Sequence, residues 1–297
     1  KDVRMEAKAM ETRSIDEMLR ARRRLFIRRF LSNHAMIFGT LVLIAFGFIS
    51  LFAPMIATPD PYAIEATARL KPPNAEHLFG TDKLGRDLFS RVVYGTRSSM
   101  FIGLSVSLIS GLLGLVIGLY SAYYQSLDHV LMRIVDGLMA FPAILLAIAI
   151  MAAMGQNILN VTLALSIVMT PVVARVIRSS ALVIKEQTYI EALRALGASS
   201  WRIIWKHIAP NTISQLIVQI TYVFAISILI EASLSFLGAG IPAPEPSWGN
   251  IIYEGKEVIY ESWWMTVIPG AFIVLSVLAL NLFGDGLRDL LDPHAKK

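Results

Sequence analysis

Few side chains in this 297-residue sequence are arranged for chemistry. The five histidines are scattered, and neither a His-Glu-x-x-His zinc motif nor a Gly-x-Ser-x-Gly nucleophile turn is present. Gly255-Lys256 is followed by Glu257, and Asn250 stands where a phosphate-binding loop would have its first glycine. The sequence has no cysteine, which excludes thiolate metal sites. We therefore expect this chain to contain no catalytic residue, no metal site and no bound cofactor.

Charged residues in or beside the apolar segments are the remaining candidates for function. Glu231 falls near one end of an apolar stretch, where its carboxylate suits a transport pathway and an outer loop equally well. Arg86, Asp87 and Arg91 precede another apolar stretch. They either contact a partner protein or pair with one another at the membrane surface.

A polar insert between two long apolar stretches carries the clearest local pattern. Thr188 and Glu191 have the spacing of a capping box, and Gly197 suits the left-handed residue that ends a helix. The pattern predicts a helix of about two turns that docks its apolar side chains into a groove on a partner. The residues expected to take part are Thr188, Tyr189, Glu191, Ala192, Leu193, Leu196 and Gly197, with Tyr189, Leu193 and Leu196 on one face.

A second short helix is predicted directly after Gly197. Ser199 or Ser200 is placed to cap it, and Pro210 is expected to end it and to open the next apolar stretch. Its apolar stripe is formed by Trp201, Ile204, Trp205 and Ile208. An interfacial membrane helix is an alternative interpretation of this second helix.

The elements that must position these residues are membrane spans. Hydrophobic residues make up 55% of the sequence and charged residues 16%, too apolar for a water-soluble domain of this length. Five runs without Asp, Glu, Lys or Arg are long enough to cross a bilayer: 30–59, 98–127, 137–174, 207–230 and 262–284. The third run would reach roughly 57 Å as one helix, so it must fold back, which we place at Gly155-Gln156-Asn157. Six spans follow, near 35–57, 99–124, 136–154, 158–177, 212–233 and 263–283.

The distribution of basic residues predicts the orientation. Of the 27 Lys and Arg residues, 20 lie before span 1, between spans 2 and 3, around the connection of spans 4 and 5, or after span 6. Because basic residues favour the cytoplasmic side, both termini and the insert are predicted to be cytoplasmic. Most basic residues lie beside spans, which indicates contact with anionic lipid rather than with nucleic acid. No cleavable signal sequence is recognisable, and span 1 is expected to remain as an anchor.

We therefore predict an all-α integral membrane protein with five regions. They are a cytoplasmic segment at 1–34, transmembrane helix 1 at 35–57, an extracytoplasmic segment at 58–98, a core of five transmembrane helices at 99–283 with a cytoplasmic coupling loop at 179–210, and a cytoplasmic tail at 284–297. Pro142, Pro171 and Pro269 fall inside spans and are expected to kink them. Gly114 and Gly118 permit close helix approach, either for packing within the chain or for a dimer face.

The insert resembles the cytoplasmic loop of permease subunits of bacterial ABC importers, which reads Glu-Ala-Ala, three residues, Gly, nine residues and Ile-x-Leu-Pro. Glu191, Ala192, Gly197 and Pro210 match at the right spacing. The positions that depart from the pattern are Leu193, His207 and Ala209. A second stretch, HLFGTDKLGRDLFSR at 77–91, is similar to the segment before span 2 in the "C" type permease of dipeptide, oligopeptide and nickel importers. LSFLG at 234–238 and PSWG at 246–249 extend that resemblance, which covers the chain from about residue 26.

The resemblance implies a type I importer permease in the bacterial inner membrane that is not itself an enzyme. The implied partners are a second homologous permease, two cytoplasmic subunits that hold ATP and magnesium, and an extracytoplasmic solute-binding protein. The last is the partner that Arg86, Asp87 and Arg91 contact if they do not pair with one another. Dipeptides or oligopeptides are the expected solutes, with a nickel chelate or another small solute as the alternative. A stand-alone secondary carrier and a sensor whose loop docks a signalling partner are more distant alternatives. A proton-coupled carrier would need carboxylates at mid-depth, and the predicted spans contain none.

Overall fold

The computed structural model describes residues 27–291. Residues 1–26 and 292–297, with most of the predicted N-terminal segment and part of the predicted tail, lie outside that range. Within it the main helices are α1 (His34–Ile56), α2 (Leu88–Tyr123), α3 (Gln125–Met139), α4 (Ala143–Met154), α5 (Ile158–Lys185), α6 (Thr188–Ala195), α7 (Ser200–Ile203), α8 (Ala209–Phe236), α9 (Trp248–Gly255) and α10 (Trp264–Leu291). A π-helical turn, Ile204–Ile208, joins α7 to α8. Residues 27–32 are also helical, and two short 3₁₀ turns are formed by Ala66–Ala68 and Lys256–Val258.

The described chain contains five helical segments that are long and apolar enough to cross a membrane. They are His34–Ile56, Leu88–Tyr123, Ile158–Lys185, Ser200–Phe236 and Trp264–Leu291. A sixth candidate is the pair of α3 and α4, whose axes are bent by 94° at a short break. The all-α membrane fold is thereby confirmed, while its orientation in the membrane stays a prediction.

The third predicted span is bent at Pro142, as expected, and the bend is sharp enough to divide it into two helices, α3 and α4. Residues 140–142 separate α3 from α4, and Pro142 is the extended residue immediately before α4. Proline has no amide hydrogen and disfavours helical geometry at the residue before it, here Phe141, so the helix breaks at this point. Pro171 and Pro269 lie inside α5 and α10, which continue through them.

The turn between α4 and α5 lies where the sequence places it. Gly155 ends α4 with a φ of 83°, a left-handed conformation that glycine adopts without steric cost. The side chain of Asn157 then accepts a hydrogen bond of 2.8 Å from the backbone N–H of Asn160, and α5 begins. The predicted fold-back of the long apolar run is confirmed.

Helix α2 begins at Leu88, well before the predicted start of span 2 at residue 99. The Asp87 carboxylate accepts a hydrogen bond of 2.8 Å from the backbone N–H of Ser90 and so caps the helix. A negative charge at this end also interacts favourably with the helix dipole. The cap explains why a helix starts while the sequence is still polar.

Helix α2 packs against α5 through two glycines. A Cβ atom on Gly114 would lie 2.5 Å from the Cβ of Val173, and one on Gly118 would lie 2.8 Å from the carbonyl oxygen of Ala174. These distances leave no room for a side chain, so glycine is what permits the approach. Both glycines face the interior of this chain, which favours packing within the chain over the alternative of a dimer face.

We expect Gly114→Ala to lower the thermal stability of the purified protein in detergent, because the new methyl group must displace Val173. Overpacking of this kind costs about 1–3 kcal/mol. Gly47→Ala is the control, since an added Cβ on Gly47 in α1 has nothing within 4 Å. Equal unfolding temperatures for the two variants, measured by intrinsic fluorescence, would contradict the packing described here.

Candidate functional site

The insert predicted to contact a partner forms α6, which follows α5 after Glu186 and Gln187. Gln187 is extended, and the backbone N–H groups of Ile190 and Glu191 both bond its carbonyl oxygen, at 2.9 and 3.3 Å. Thr188 is therefore the first helical residue and not the cap, so the predicted capping box between Thr188 and Glu191 is wrong. Because the connection to α5 is short, Gln187 is the single extended residue before α6. The cap therefore lies at Gln187, one residue before the predicted position.

The end of α6 lies at the predicted glycine. Gly197 has a φ of 78°, its N–H bonds the carbonyl of Arg194, and the N–H of Ala198 bonds the carbonyl of Leu193, both at 3.0 Å. These two bonds are those of a Schellman motif, which satisfies the last carbonyls of a helix. The prediction of a glycine stop is confirmed, and it leaves α6 as a short rod with both ends fixed by backbone hydrogen bonds.

One face of α6 is anchored in the protein and the other is open. Ile190 is fully buried, and Leu193 packs against the same core. Tyr189 is 44% exposed and Leu196 is 84% exposed. Of the three residues predicted to share one face, Leu193 therefore lies on the anchored side and Tyr189 and Leu196 lie on the open side. The sequence analysis did not identify Ile190, although its spacing from Leu193 fits a buried pair. The other predicted residues exposed on α6 are Thr188, Glu191 and Ala192.

Contacts tie α6 to the ends of two spans. The side-chain amide of Asn211, in α8, donates to the Tyr189 hydroxyl at 3.4 Å and to the carbonyl of His207 at 2.6 Å. The guanidinium of Arg194 lies over the ring of Tyr123, the last residue of α2, 5.4 Å from its centroid. Helix α6 therefore contacts the ends of both α2 and α8.

The second predicted helix starts as expected but does not end at Pro210. Ser199 caps it, and the chain then stays helical from Ser200 to Phe236 through the π-helical turn. The N–H of Ala209 bonds the carbonyl of Ile204 five residues back, and this wider turn carries the chain past Pro210, which has no amide hydrogen to donate. Between residues 200 and 208 the buried side chains are Ile203, Ile204 and Ile208, whereas Trp201 is 64% exposed.

At the opposite end of α2 lies a group of four charged residues, Asp82, Arg86, Arg91 and Glu254, which we call the arginine cluster. Arg86 bonds Asp82 and Glu254 at 2.6 Å each. Arg91 bonds the same two carboxylates at 2.5 Å each. Asp82 and Arg91 are fully buried, and the two positive and two negative charges balance. The cluster joins the loop before α2 to the last turns of α9.

Asp87 is not part of the arginine cluster. Besides capping α2, its carboxylate lies 2.9 Å from Nδ1 of His77. The expectation that Arg86, Asp87 and Arg91 pair with one another is corrected, because both arginines pair with Asp82 and Glu254. Sequence reasoning missed these carboxylates, and the excess of acidic residues between spans 5 and 6 was the available signal for Glu254.

Two further contacts join the same loops. Lys83 forms an ion pair with Glu257, and the hydrogen bond from Lys83 lowers the pKa of that carboxyl. The Tyr62 hydroxyl donates to Glu245 at 3.1 Å. Burial and the hydrogen bond to Glu245 raise the pKa of Tyr62 to about 12, so the phenol stays protonated and remains the donor.

Glu231 is fully buried inside the chain. Its carboxylate accepts hydrogen bonds from the hydroxyl of Ser99 in α2, at 3.2 Å, and from the hydroxyl of Ser235, at 2.8 Å. Ser235 also accepts a bond of 3.2 Å from the backbone N–H of Ile241, so the group links α2, α8 and the following loop. In this conformation the carboxylate faces neither an open pathway nor the surface, and its predicted role there stays a prediction.

Near the α6 end of the bundle, arginines on α5 pair with carboxylates on α3. Arg178 bonds Asp128 through two hydrogen bonds of 2.5 and 2.6 Å. Arg175 bonds Asp136 at 2.6 Å, and both of these side chains are about half exposed. These pairs hold the bent pair of helices against α5 on the side where α6 lies.

The fold defines a helical protein that crosses the membrane several times. Among residues 27–291 no three His, Asp or Glu side chains are placed to hold a metal ion. The fold is similar to that of a chain of the methionine ABC transporter MetNI in inward-facing form, with a TM-score of 0.52 and 21% identity over 65% of this chain and 94% of that one.

Sequence comparison identifies the family. Residues 114–297 match the family described as binding-protein-dependent transport system inner membrane component, and residues 22–73 match the N-terminal TM domain of oligopeptide transport permease C. The chain belongs to the binding-protein-dependent transport family and is a permease subunit of an ABC importer, a multi-pass protein of the bacterial inner membrane. The ATPase of such an importer is a separate subunit.

The relatives cover nearly the whole chain. A Brucella abortus protein whose name places it among peptide transport system permeases is 47% identical over 91% of this chain and 91% of its own length. The dipeptide transport system permease protein of Alkalihalophilus pseudofirmus is 40% identical over 89% and 87%. The glutathione transport system permease protein of Pectobacterium atrosepticum is 40% identical over 95% and 94%. The expected family is confirmed.

We expect Arg91→Met to destabilise the protein strongly, because it leaves the buried carboxylates of Asp82 and Glu254 with one arginine between them. Breaking a buried ion pair on one side costs about 3–5 kcal/mol. Lys83→Met removes the exposed pair with Glu257 and is the control, with an expected loss of at most about 1 kcal/mol. Thermal unfolding in detergent compares the two, and similar losses would show that the cluster is no more important than a surface pair.

Proposed function

We propose that ATP-hydrolysing partner subunits drive this permease through α6, and that the imported solute is a dipeptide or oligopeptide. The assembly would contain a second homologous permease, two ATP-binding subunits that hold ATP and magnesium, and an external solute-binding protein. The present chain would form half of the pathway and hold no cofactor. In this proposal α6 lies on the cytoplasmic side of the membrane, as the distribution of basic residues predicts.

The observation that carries the coupling role is the division of α6 into an anchored face and an open one. Ile190 holds one side of the helix in the core, while Tyr189 and Leu196 present apolar surface on the other. A two-turn helix with exposed apolar side chains suits the mode in which a helix docks into a groove. Because the Schellman motif fixes the end of α6 at Gly197, a docked partner moves the helix as one body.

The mechanism follows from differential binding. ATP favours the closed form of the ATPase pair, and closure would carry each docked helix with it. Tyr189 and Arg194 would pass the movement to α8 and α2 and so change the spacing of the spans. Hydrolysis would release the closed form and return the permease to its other state.

The names of the relatives support a peptide as solute. The relatives from Alkalihalophilus pseudofirmus and Pectobacterium atrosepticum are named for dipeptide and glutathione, which both contain peptide bonds. A nickel chelate would be bound outside by the solute-binding protein and remains the alternative. The two alternatives are distinguished by measuring the uptake of labelled dipeptides and of labelled nickel by cells that express the whole importer.

We expect a photo-reactive benzoylphenylalanine placed at Tyr189 or Leu196 to crosslink to the ATP-binding subunit in membranes that contain the whole complex. Both positions are exposed on α6, whereas Ile190 is buried and serves as the control that should give no such product. The product is identified by an antibody against the ATP-binding subunit. Absence of a crosslink from both exposed positions would exclude α6 as the docking element.

We expect Gly197→Val to uncouple ATP hydrolysis from uptake while the complex still assembles. The left-handed conformation costs a residue with a side chain about 1–2 kcal/mol, and β-branched valine tolerates it poorly. Gly197→Asn is the matched control, because asparagine adopts this conformation more readily. Peptide imported per ATP hydrolysed in proteoliposomes is the measurement, and normal coupling by Gly197→Val would contradict the role of α6 as a rigid lever.

A further inference from the structure

A groove with a polar lining runs along α8 beside α5 and α10, at the end of the bundle where α6 lies. It contains a cavity of about 620 Å³ whose lining includes Asn211, Gln215, Gln219 and Arg288. A second cavity of about 490 Å³ shares Asn211 and Gln215 with the first and continues along α5. Cavities of this size hold small organic ligands. We call this feature the amide groove, after Asn211, Gln215 and Gln219.

The three amides follow one another along a single face of a membrane span. They are four residues apart, so their side chains point to the same side of α8 over about 12 Å of its length. Asn211 and Gln215 are exposed, and Gln219 is half-buried. An amide that faces hydrocarbon loses its hydrogen bonds to water at a large cost in free energy, so this face must border water or another polar group.

A water-filled path explains the lining better than a contact with a second permease. Arg288 is one of the nine described residues that line the same cavity, and none of the nine is acidic. A dry interface would bury that charge unless the other subunit supplied a carboxylate. Water or a solute carboxylate in an open path satisfies Arg288 directly.

We propose that the amide groove is the inner part of the solute path in this subunit and that Gln215 and Gln219 bind peptide groups of the passing solute. The inference rests on the proposed function and names the residues that act on the solute. It also narrows the solute class to molecules that contain amide bonds.

The proposal that the groove binds peptide groups follows from the chemistry of its side chains. A peptide group offers one N–H donor and one carbonyl acceptor, and the side-chain amide of glutamine offers both in return. Such pairing does not depend on the side chains of the solute, so peptides of different sequence are accepted. The nine described lining residues include neither a carboxylate nor an imidazole, which are the side chains that a free metal cation needs.

Because the sequence contains no cysteine, single-cysteine variants report on one position each. Gln215→Cys and Gln219→Cys in the assembled importer are expected to react with a charged, membrane-impermeant thiol reagent in inside-out vesicles. Ile213→Cys is the matched control, because Ile213 is 46% exposed on α8, lies nearer to α6 and is not in the cavity lining. We expect it to react at least about tenfold more slowly, since a thiol in hydrocarbon does not ionise.

Two results of the labelling experiment would overturn the proposal. One is equal reaction at all three positions. The other is no reaction at Gln215→Cys and Gln219→Cys together with their crosslinking to the second permease, which would make the groove a subunit contact. A decrease in labelling when ATP and vanadate hold the ATPases closed would support the path.

Binding of peptide groups is tested by Gln215→Leu combined with Gln219→Leu. Uptake of radiolabelled dipeptides into proteoliposomes is expected to fall at least about tenfold. A tenfold change corresponds to a loss of about 1.4 kcal/mol in binding free energy. Assembly of the complex, measured by co-purification of the ATP-binding subunits, should not change, because α6 is unaltered. The Gln215→Asn, Gln219→Asn variant keeps both amides and should retain more uptake, and Gln125→Leu, outside the groove, should retain all of it. Unchanged uptake by the double leucine variant would refute amide binding.

Failure of this inference and failure of the proposed function are distinguishable. If α6 does not dock an ATPase, the crosslinks from Tyr189 and Leu196 are missing and ATP with vanadate leaves the labelling unchanged. If only the inference fails, those crosslinks remain, while Gln215→Cys reacts no faster than Ile213→Cys.

Discussion

The close packing of α2 against α5 is the constraint on which the rest of the structure depends. Gly114 and Gly118 let the backbone of α5 approach α2 at Val173 without an intervening side chain. At the end of this contact the ammonium group of Lys185 donates to the carbonyl of Ala122 at 2.9 Å. The end of α5 is thereby fixed against the end of α2, and α6 begins three residues after Lys185. The position of α6 is therefore set by helix packing deep in the bundle.

A physical connection leads from α6 to the amide groove. Ile190 sits in the core, so α6 cannot move without moving its surroundings. Tyr189 accepts a hydrogen bond from Asn211, which lines the groove and also holds the carbonyl of His207 in the π-helical turn. Such turns are a place where a helix changes its hydrogen bonding at low cost and often mark functional sites. In the proposed function Asn211 would therefore connect the docking surface to the solute path, and a two-state movement of α6 would act on both.

Local signals in the sequence were sufficient where one residue determines the backbone. Gly155 and Gly197 need positive φ values, and both turns were predicted correctly. The sequence was less informative where neighbours decide. Gln187, and not Thr188, is the cap of α6 because of the tight connection to α5. Glu254 bonds Arg86 across 168 residues of sequence, a contact that no local pattern reveals. The amides of the groove carry no charge, so they lack the signal that marks an ionisable residue in a span as a candidate for function.

The two ends of the helix bundle differ in the strength of the ion pairs that hold them together. Three of the four members of the arginine cluster are buried, and removing one of these leaves buried charges without a partner, at a cost of about 3–5 kcal/mol. At the other end the pair of Arg175 and Asp136 is about half exposed, and pairs of that kind contribute about 0–1 kcal/mol. A movement driven through α6 will break the weaker contacts first. Rearrangement within this subunit should therefore involve α3, α4 and the α6 end of α5, while the loops around the arginine cluster move together as a rigid cap.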